Sequence, residues 1–444
     1  MSVEIIGMIQ SSKQSGIHPQ NGPAVDRDYV RNFARAHEQS GFDRILVPHH
    51  STSPSATLTI AYATTVTENI HFMLAHRPGF VASTLAARQI ATLDQFSGGR
   101  LGVHFISGGS DDEQQRDGDF LSHDERYART DEYLSILRRI WTEDRPFDHD
   151  GTYYRFKQGF SEVKPVRGQR VPIYFGGASA PALQVAGRHA DVYALWGESL
   201  AQAGDLVRRV RSEATLNGRH VDFSISFRPI LGRTEDEAWA RAERILEDTR
   251  RLRVQQGYAR GVGPQQSEGA QRLLADAAKG DRVDERLWTA IARELGGRSN
   301  STSLVGTPEQ VADALLKYYD LGITTFLIRG FDPLVDAIDY GRELLPLIRQ
   351  KVAQRDALKL RLREAVSQGL APQAQVRASQ IVFGPYSPFP VAYRVSGPDP
   401  QRLRDIAGQV HQVLHDSPMM RTVSTDWGAR TPTLHFTLDQ DRLQ

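Results

Sequence analysis

Apolar residues along the first 350 positions follow two alternating rhythms. Short, near-continuous apolar runs recur at 3–9, 43–47, 70–75, 100–106, 171–175, 191–195, 223–231 and 324–329. Between them lie longer segments with helical spacing, among them 83–96, 125–141 and 235–252. Continuous apolar runs are what parallel strands present when helices cover both faces of their sheet. Eight strand–helix units predict a (β/α)8 TIM barrel, with a doubly wound open sheet as the alternative. Thr307, Pro308 and Gln310 read as N-cap, first and third residues of a helix.

Two stretches interrupt the alternation. Residues 143–170 form a turn-rich excursion, and 253–302 form a polar, glycine-rich insertion ending in GGRSNST. A long insertion after a barrel strand predicts a lid or binding loop, with an ordinary surface loop as the alternative. The rhythm changes after 351. A charged helical linker at 352–375 runs into a Pro/Gly break, and 376–444 reads as a small, possibly incomplete α+β segment. Its amphipathic helix at 400–414 places Leu403, Ile406, Val410, Val413 and Leu414 on one face. An incomplete sheet would leave an open strand edge.

Composition narrows the chemistry. The 444 residues contain no cysteine, which excludes disulfides, thiolate catalysis and Cys-bound metals. A net charge of +1 gives no reason to expect nucleic acid or an anionic membrane surface as partner. No apolar stretch reaches the ~18 residues of a spanning helix, and the N-terminus has no signal-peptide pattern, so a cytoplasmic protein is expected.

In a barrel, chemistry collects at the C-terminal strand ends. Those ends carry His49, His50, Ser51 and Ser53; His76 and Arg77; His104 and Ser107; Gly176, Gly177, Ala178 and Ser179; Trp196; Ser226 and Arg228; and Arg329 and Phe331. Basic and aromatic groups with little carboxylate suit an anionic, planar ligand. No metal is expected, because adjacent His49 and His50 point apart and lack an acidic partner. Phe-Gly-Gly-Ala-Ser at 175–179 opens a helix and reads as a phosphate cradle. His123 and Tyr127, four apart on a helix, can face the same phosphate. The chain lacks a Walker loop and lacks GxGxxG after its first strand.

The segments HRPGFVASTLAARQIATLDQFSGGRLGVHFISGG (76–109), HDERYARTDEYL (123–134), PIYFGGAS (172–179) and ADVYALWGE (190–198) resemble the luciferase-like flavin-dependent monooxygenases. The resemblance covers about 1–351, and its nearest branch is the alkanesulfonate monooxygenases. It implies reduced flavin mononucleotide (FMN) supplied by a separate NAD(P)H-dependent reductase, O2 as co-substrate, and a small organosulfur substrate. The substrate would be an alkanesulfonate converted to aldehyde and sulfite, or a sulfone. It further implies a homodimer or tetramer. By this resemblance Gly177, Ala178, Ser179, His123 and Tyr127 hold the phosphate, and His76, His104, Ser107 and Trp196 surround the rings. Catalytic roles fall to Arg228, Arg298, Trp196 and His76, and substrate contacts to Ser53, Ser226 and Phe331.

The chain departs from the sulfonate branch. It has Arg228 for a histidine, Ser226 for an arginine, Phe331 for a tyrosine and Ser53 near a cysteine position. A guanidinium at 228 or 298 can bind a sulfonate bidentately but is a poor general base. Residues 354–444, including FGPYSPFPVAYRVSGPDPQRLRDIAGQVHQVL, resemble a fragment of the periplasmic porter region of resistance–nodulation–division efflux transporters. The expectation is a fused passenger, the alternative a module with its own role. Three rival functions stand beside the monooxygenase: a deazaflavin-dependent hydride-transfer enzyme of the same superfamily, a non-catalytic flavin binder, and an interaction module linked to an export system through the tail.

Overall fold

A computed structural model of the chain describes residues 3–166, 170–255, 267–297 and 302–367, with positions 402, 405, 406, 408, 409 and 412 of the tail. The chain divides into units Met1–Gly384 and Pro385–Gln444. Of the porter-like segment at 354–444, residues 354–367 and those six helical positions are described, and the rest lies outside the described residues.

Eight strands close into a barrel: β1 (Glu4–Met8), β2 (Arg44–Val47), β3 (His71–His76), β4 (Leu101–Phe105), β5 (Ile173–Phe175), β6 (Val192–Trp196), β7 (Asp222–Phe227) and β8 (Thr325–Ile328). Every pairing is parallel, and β1 closes the ring by pairing with both β2 and β8. Each strand overlaps one of the eight apolar runs. Their continuous hydrophobicity has a physical cause, since the two faces are buried in different places. Ile5, Ile45, Phe72, Val103, Phe105, Phe175 and Ile225 point out into the main core beneath the helices. Ile6, Met73, Tyr174 and Leu327 point in and pack along the barrel axis, with Leu46 and Val192 against them.

Below that apolar layer the barrel is stoppered by a polar knot. Arg44 Nε donates to Glu4 Oε1 at 2.9 Å, Tyr174 and Thr325 hydroxyls donate to Glu4 Oε2, and Arg44 Nη1 donates to the Phe72 carbonyl. Gly102 leaves space for this, because a Cβ there would sit 3.0 Å from Arg44 Nη1.

Two helices begin as their sequences predict, and the one expected from 125 begins at His123. Ser83–Phe96 is found at its predicted bounds, and Pro308–Asp320 opens with a reciprocal box in which Thr307 and Gln310 cap each other. His123–Thr142 opens with a second box between Ser122 and Glu125.

Three features differ from expectation. The run at 223–231 is broken: β7 ends at Phe227, and Ile230–Leu231 pairs in parallel with Ser303–Gly306 in a separate four-stranded sheet. Pro229, which has no N–H to donate, sits at the break. The excursion at 143–170 contains an antiparallel hairpin, Phe147–Asp150 with Arg155–Gly159. Glu132 ties it to helix His123–Thr142 by accepting from the Tyr153 and Tyr154 amides and facing His149. Finally, helix Leu345–Ser367 runs through the sequence boundary at 351 and packs Ile348 and Val352 into the barrel core.

Among the described residues, the insertion at 253–302 carries helices Glu268–Lys279 and Ala290–Glu294. Trp288 from it joins Ile230, Trp239, Ile245, Val305 and Phe331 in a second small core.

Candidate active site

The glycine-rich turn after β5 forms a cradle. Gly177 has φ +131°, a conformation that strains any residue with a side chain. A Cβ there would lie 2.6 Å from the Tyr127 hydroxyl and 2.8 Å from Ala182 Cβ. Tyr193 donates its hydroxyl to the Gly177 carbonyl and fixes the turn from below. Ser179 is the N-cap of helix Ala180–His189, yet its side chain caps nothing. Its buried Oγ faces the Tyr127 hydroxyl without an aligned hydrogen bond. Tyr127 is 7% exposed, burial pushes its hydroxyl up to about 12, and His123 stacks edge-on at 4.9 Å. A helix N-terminus, a glycine that admits close approach, and the unsatisfied Ser179 hydroxyl beside that of Tyr127 make a site for an oxyanion such as phosphate.

Strand parity decides what else reaches the mouth. Ser226 registers with Leu327, which points inward, and with Trp196. Trp196 and Ser226 therefore share the inner face. His104 lies in the same row as the inward Gly102, and its Nε2 would be 3.7 Å from a Cβ on Gly176. Burial holds the His104 imidazole near 4, so it is neutral at pH 7. Arg329 continues the inner row of β8 and places Nη1 3.7 Å from Met8 Sδ. Arg228, at the break after β7, is 5% exposed and stacks its guanidinium 3.4 Å above the Phe331 ring.

On the β2–β4 side, Glu113 collects three donors: Arg77 Nη2, the Ser51 amide at 3.1 Å and His50 Nε2 at 3.2 Å. Burial opposes its ionised form, but Arg77 and the Ser51 amide outweigh it and lower its pKa. Arg77 retains a buried Nε and Nη1 without acceptors, and His49 a buried Nε2. Burial first and Arg77 second lower the His49 pKa. Beside them opens a cavity of about 900 Å3 lined by His49, Phe80, Phe120, Arg129 and Tyr154. Among the described residues no three acidic or histidine side chains converge as a metal-binding set.

Part of the insertion lies against Trp196 and the loop after β4. Backbone at Gly269 lies against Trp196, a Cβ there being 3.4 Å from indole Cε3, and a Cβ on Gly109 would be 3.4 Å from Ser267. Helix Glu268–Lys279 is latched to the turn after β6. Arg272 pairs with Glu198 at 2.7 Å, and Asp276 accepts from the Ser199 amide and hydroxyl at 2.8 and 3.0 Å. Glu198 and Asp276 are 1% and 0% exposed. Burial raises the Glu198 pKa against the opposing effect of Arg272.

Of the residues expected to act, the structure gathers His123, Tyr127, Gly177, Ala178 and Ser179 at the cradle and His104, Trp196, Ser226 and Arg228 at the mouth. Others are placed elsewhere. His76 has outward parity: it contacts Phe105 and Tyr133 in the helix layer and shares a 2.8 Å hydrogen bond with the Tyr133 hydroxyl. Burial first and His49 second hold its pKa near 4. Ser107 also faces outward, 2.9 Å from Thr130. Ser53 is exposed, and its amide donates to the His50 carbonyl. Phe331 is 1% exposed within the second small core, where it supports Arg228. Arg298 lies outside the described residues. Sequence reasoning missed Glu113, Glu198 and Arg272. Glu198 lies two residues after Trp196 and carried a positional signal, but its partner 74 residues on carried none.

Solved structures repeat this architecture. EDTA monooxygenase from Chelativorans sp. BNC1 shares 20% identity over 79% of this chain and 94% of its own, with a TM-score of 0.64. The long-chain alkane monooxygenase shares 19% identity over 79% and 92%, also with a TM-score of 0.64. An F420-dependent secondary alcohol dehydrogenase shares 18% identity over 79% and 100%, with a TM-score of 0.58. At these identities they establish a common fold. The sequence itself matches the luciferase-like monooxygenase family over residues 5–325. The chain, with its closed barrel and cradle, belongs to the luciferase-like monooxygenase family.

Proposed function

We propose that the chain is the oxygenating component of a two-component system. It receives reduced FMN from a separate NAD(P)H-dependent reductase and uses O2 to oxygenate a small organosulfur compound, an alkanesulfonate or a sulfone. The observation that carries this reading is the unsatisfied Ser179 hydroxyl at a helix N-terminus, beside Tyr127 and a glycine with φ +131°. The Gly177, Ala178 and Ser179 amides, Tyr127 and, at the rim, His123 would hold the FMN phosphate. His104 and Trp196 would flank its ring system.

Reduced FMN, when bound, supplies the two electrons that let one atom of O2 enter the substrate while the other leaves as water. For an alkanesulfonate the balance is one sulfonate, one O2 and one reduced FMN giving an aldehyde, hydrogensulfite, water and oxidised FMN, with the C–S bond broken. The protein's part is to exclude water and place charge. The Glu268–Lys279 helix closes over Trp196, held by the Glu198–Arg272 and Ser199–Asp276 contacts. His104, neutral at pH 7, offers hydrogen bonding without charge. Arg228, where a base would be expected, stabilises negative charge instead of taking a proton.

The test is an anaerobic titration with reduced FMN, and in parallel with reduced deazaflavin, followed by tryptophan fluorescence. Saturable FMN binding in the micromolar range, with reductase-dependent sulfite or sulfinate release in air, is the expected result. Absence of FMN binding by folded protein, or tighter binding of the deazaflavin, would overturn it. Sedimentation of the full chain checks the expected homodimer or tetramer.

A further inference from the structure

The cavity beside His49 serves no step of the proposed reaction. Its volume is about 900 Å3, the size that takes a drug-sized molecule. His49, Phe80, Phe120, Arg129, Tyr153 and Tyr154 line it. Three loops meet there beside the end of β2, and Arg129 staples two of them. It donates to the Pro78 carbonyl at 3.0 Å in the loop after β3, and to Asp119 at 2.6 Å in the loop before helix His123–Thr142. Glu132, on that helix, holds the Tyr153 and Tyr154 amides of the hairpin turn at 2.9 and 3.0 Å. The Tyr154 ring packs on Tyr133, with centroids 5.6 Å apart.

The lining leaves three buried polar atoms without partners: His49 Nε2, Arg129 Nε and the Tyr154 hydroxyl. Such atoms cost stability until something bonds to them. Arg129 Nε only donates, while the phenol and the imidazole nitrogen can do either, so the set suits acceptor oxygens. Charge narrows the ligand further. Asp119 neutralises Arg129, Glu113 neutralises Arg77 behind His49, and Asp117 adds negative charge to the lining. No uncompensated cation is left to draw an anion. The walls supply aromatic faces, and Phe120 stands 75% exposed. Cradle and cavity are separate poles. Tyr127 and Arg129 lie two positions apart on one helix, so they leave it on opposite sides. Tyr127 faces Gly177, whereas a Cβ on Gly79 would strike the Arg129 guanidinium.

We propose that this cavity is a second ligand site, for a neutral fused-ring aromatic molecule bearing carbonyl or ether oxygens. The rings stack on Phe80, Phe120 and the two tyrosines, and the oxygens accept from Arg129 and Tyr154. Two sources offer that chemistry, the ring portion of the compound oxygenated and a separate effector. The site does not rest on the monooxygenase reading.

The test is calorimetry on the full chain under nitrogen, with and without reduced FMN, using three probes: 7-methoxycoumarin, 2-naphthalenesulfonate and cyclooctanone. The coumarin should bind saturably in the micromolar range, roughly tenfold or more tighter than the anion or the non-aromatic ketone. Tyr154→Phe keeps the ring and should weaken coumarin binding by about tenfold. Phe120→Ala, at an exposed position that the fold does not depend on, should weaken it several-fold. Both variants should leave FMN affinity unchanged, and Gly177→Ala should do the reverse. No saturable coumarin binding, or tighter binding of the sulfonate, would overturn the proposal. So would loss of coumarin binding in the presence of FMN or in Gly177→Ala, since both ligands would then share one site. In air with reduced FMN, a coumarin that gains an oxygen atom marks the site as the substrate's, and a coumarin recovered unchanged marks it as an effector's. Coumarin binding by a protein that binds no FMN would leave this site standing and remove the monooxygenase reading.

Discussion

Single residues set the chemistry of both poles. A methyl group at Gly177 meets the Tyr127 hydroxyl at 2.6 Å and a backbone angle of +131° that L-residues avoid. Gly177→Ala should weaken FMN binding by about 10- to 100-fold, equivalent to ~1.4–2.7 kcal/mol. A fluorescence titration reads the loss. Unchanged affinity in Gly177→Ala would show that the phosphate does not lie there. The buried histidines carry a pH signature. Burial depresses His37, His76 and His104 to about 4, well below an ordinary imidazole. Between about pH 6.5 and 4 the unfolded chain binds protons that the folded chain refuses, so folding stability rises with pH across that window. The melting temperature should fall as pH drops from 6.5 toward 4, with protons taken up on unfolding. A flat profile there would mean these rings are hydrated.

At the scale of elements, the latch between the insertion and the turn after β6 makes the sharpest prediction. Arg272→Met leaves Glu198 buried and unpaired, a loss of roughly 3–5 kcal/mol if the carboxylate stays charged. Adding Glu198→Gln should restore much of that stability. Denaturant melts of the single and double variants measure the coupling, and additive effects would show that the pair does not lock the helix. This scale also shows what the sequence could reveal. The eight barrel strands were legible because each buries both faces, and the cap at Thr307 because capping is local. The break at Pro229 was legible in principle from the missing donor. The contact of Gly269 with Trp196 was not, since nothing local records where a 50-residue insertion returns. Nor was the outward turn of His76. It depends on strand parity at one position, and one residue of register moves a side chain from the barrel axis to the helix layer.

For the whole molecule, helix Leu345–Ser367 decides where the barrel ends. Beyond 351 it buries Val352, pairs Arg355 with Asp320 at 3.4 Å and presents Asp356 to the Tyr319 hydroxyl. A chain cut after 367 should keep the melting temperature and FMN affinity of the full protein, which treats the efflux-like tail as a passenger. A chain cut after 351 should lose several degrees. Loss of FMN binding on removal of 368–444 would give the tail a function. The polar knot of Glu4, Arg44 and Tyr174 bears on a different property. That stopper and the apolar layer of Ile6, Met73 and Leu327 above it fill the barrel axis on the side away from the mouth. Under the proposed function, cofactor, substrate and products would pass the mouth in turn. Oxidised FMN slow to leave would then inhibit competitively with the next reduced molecule.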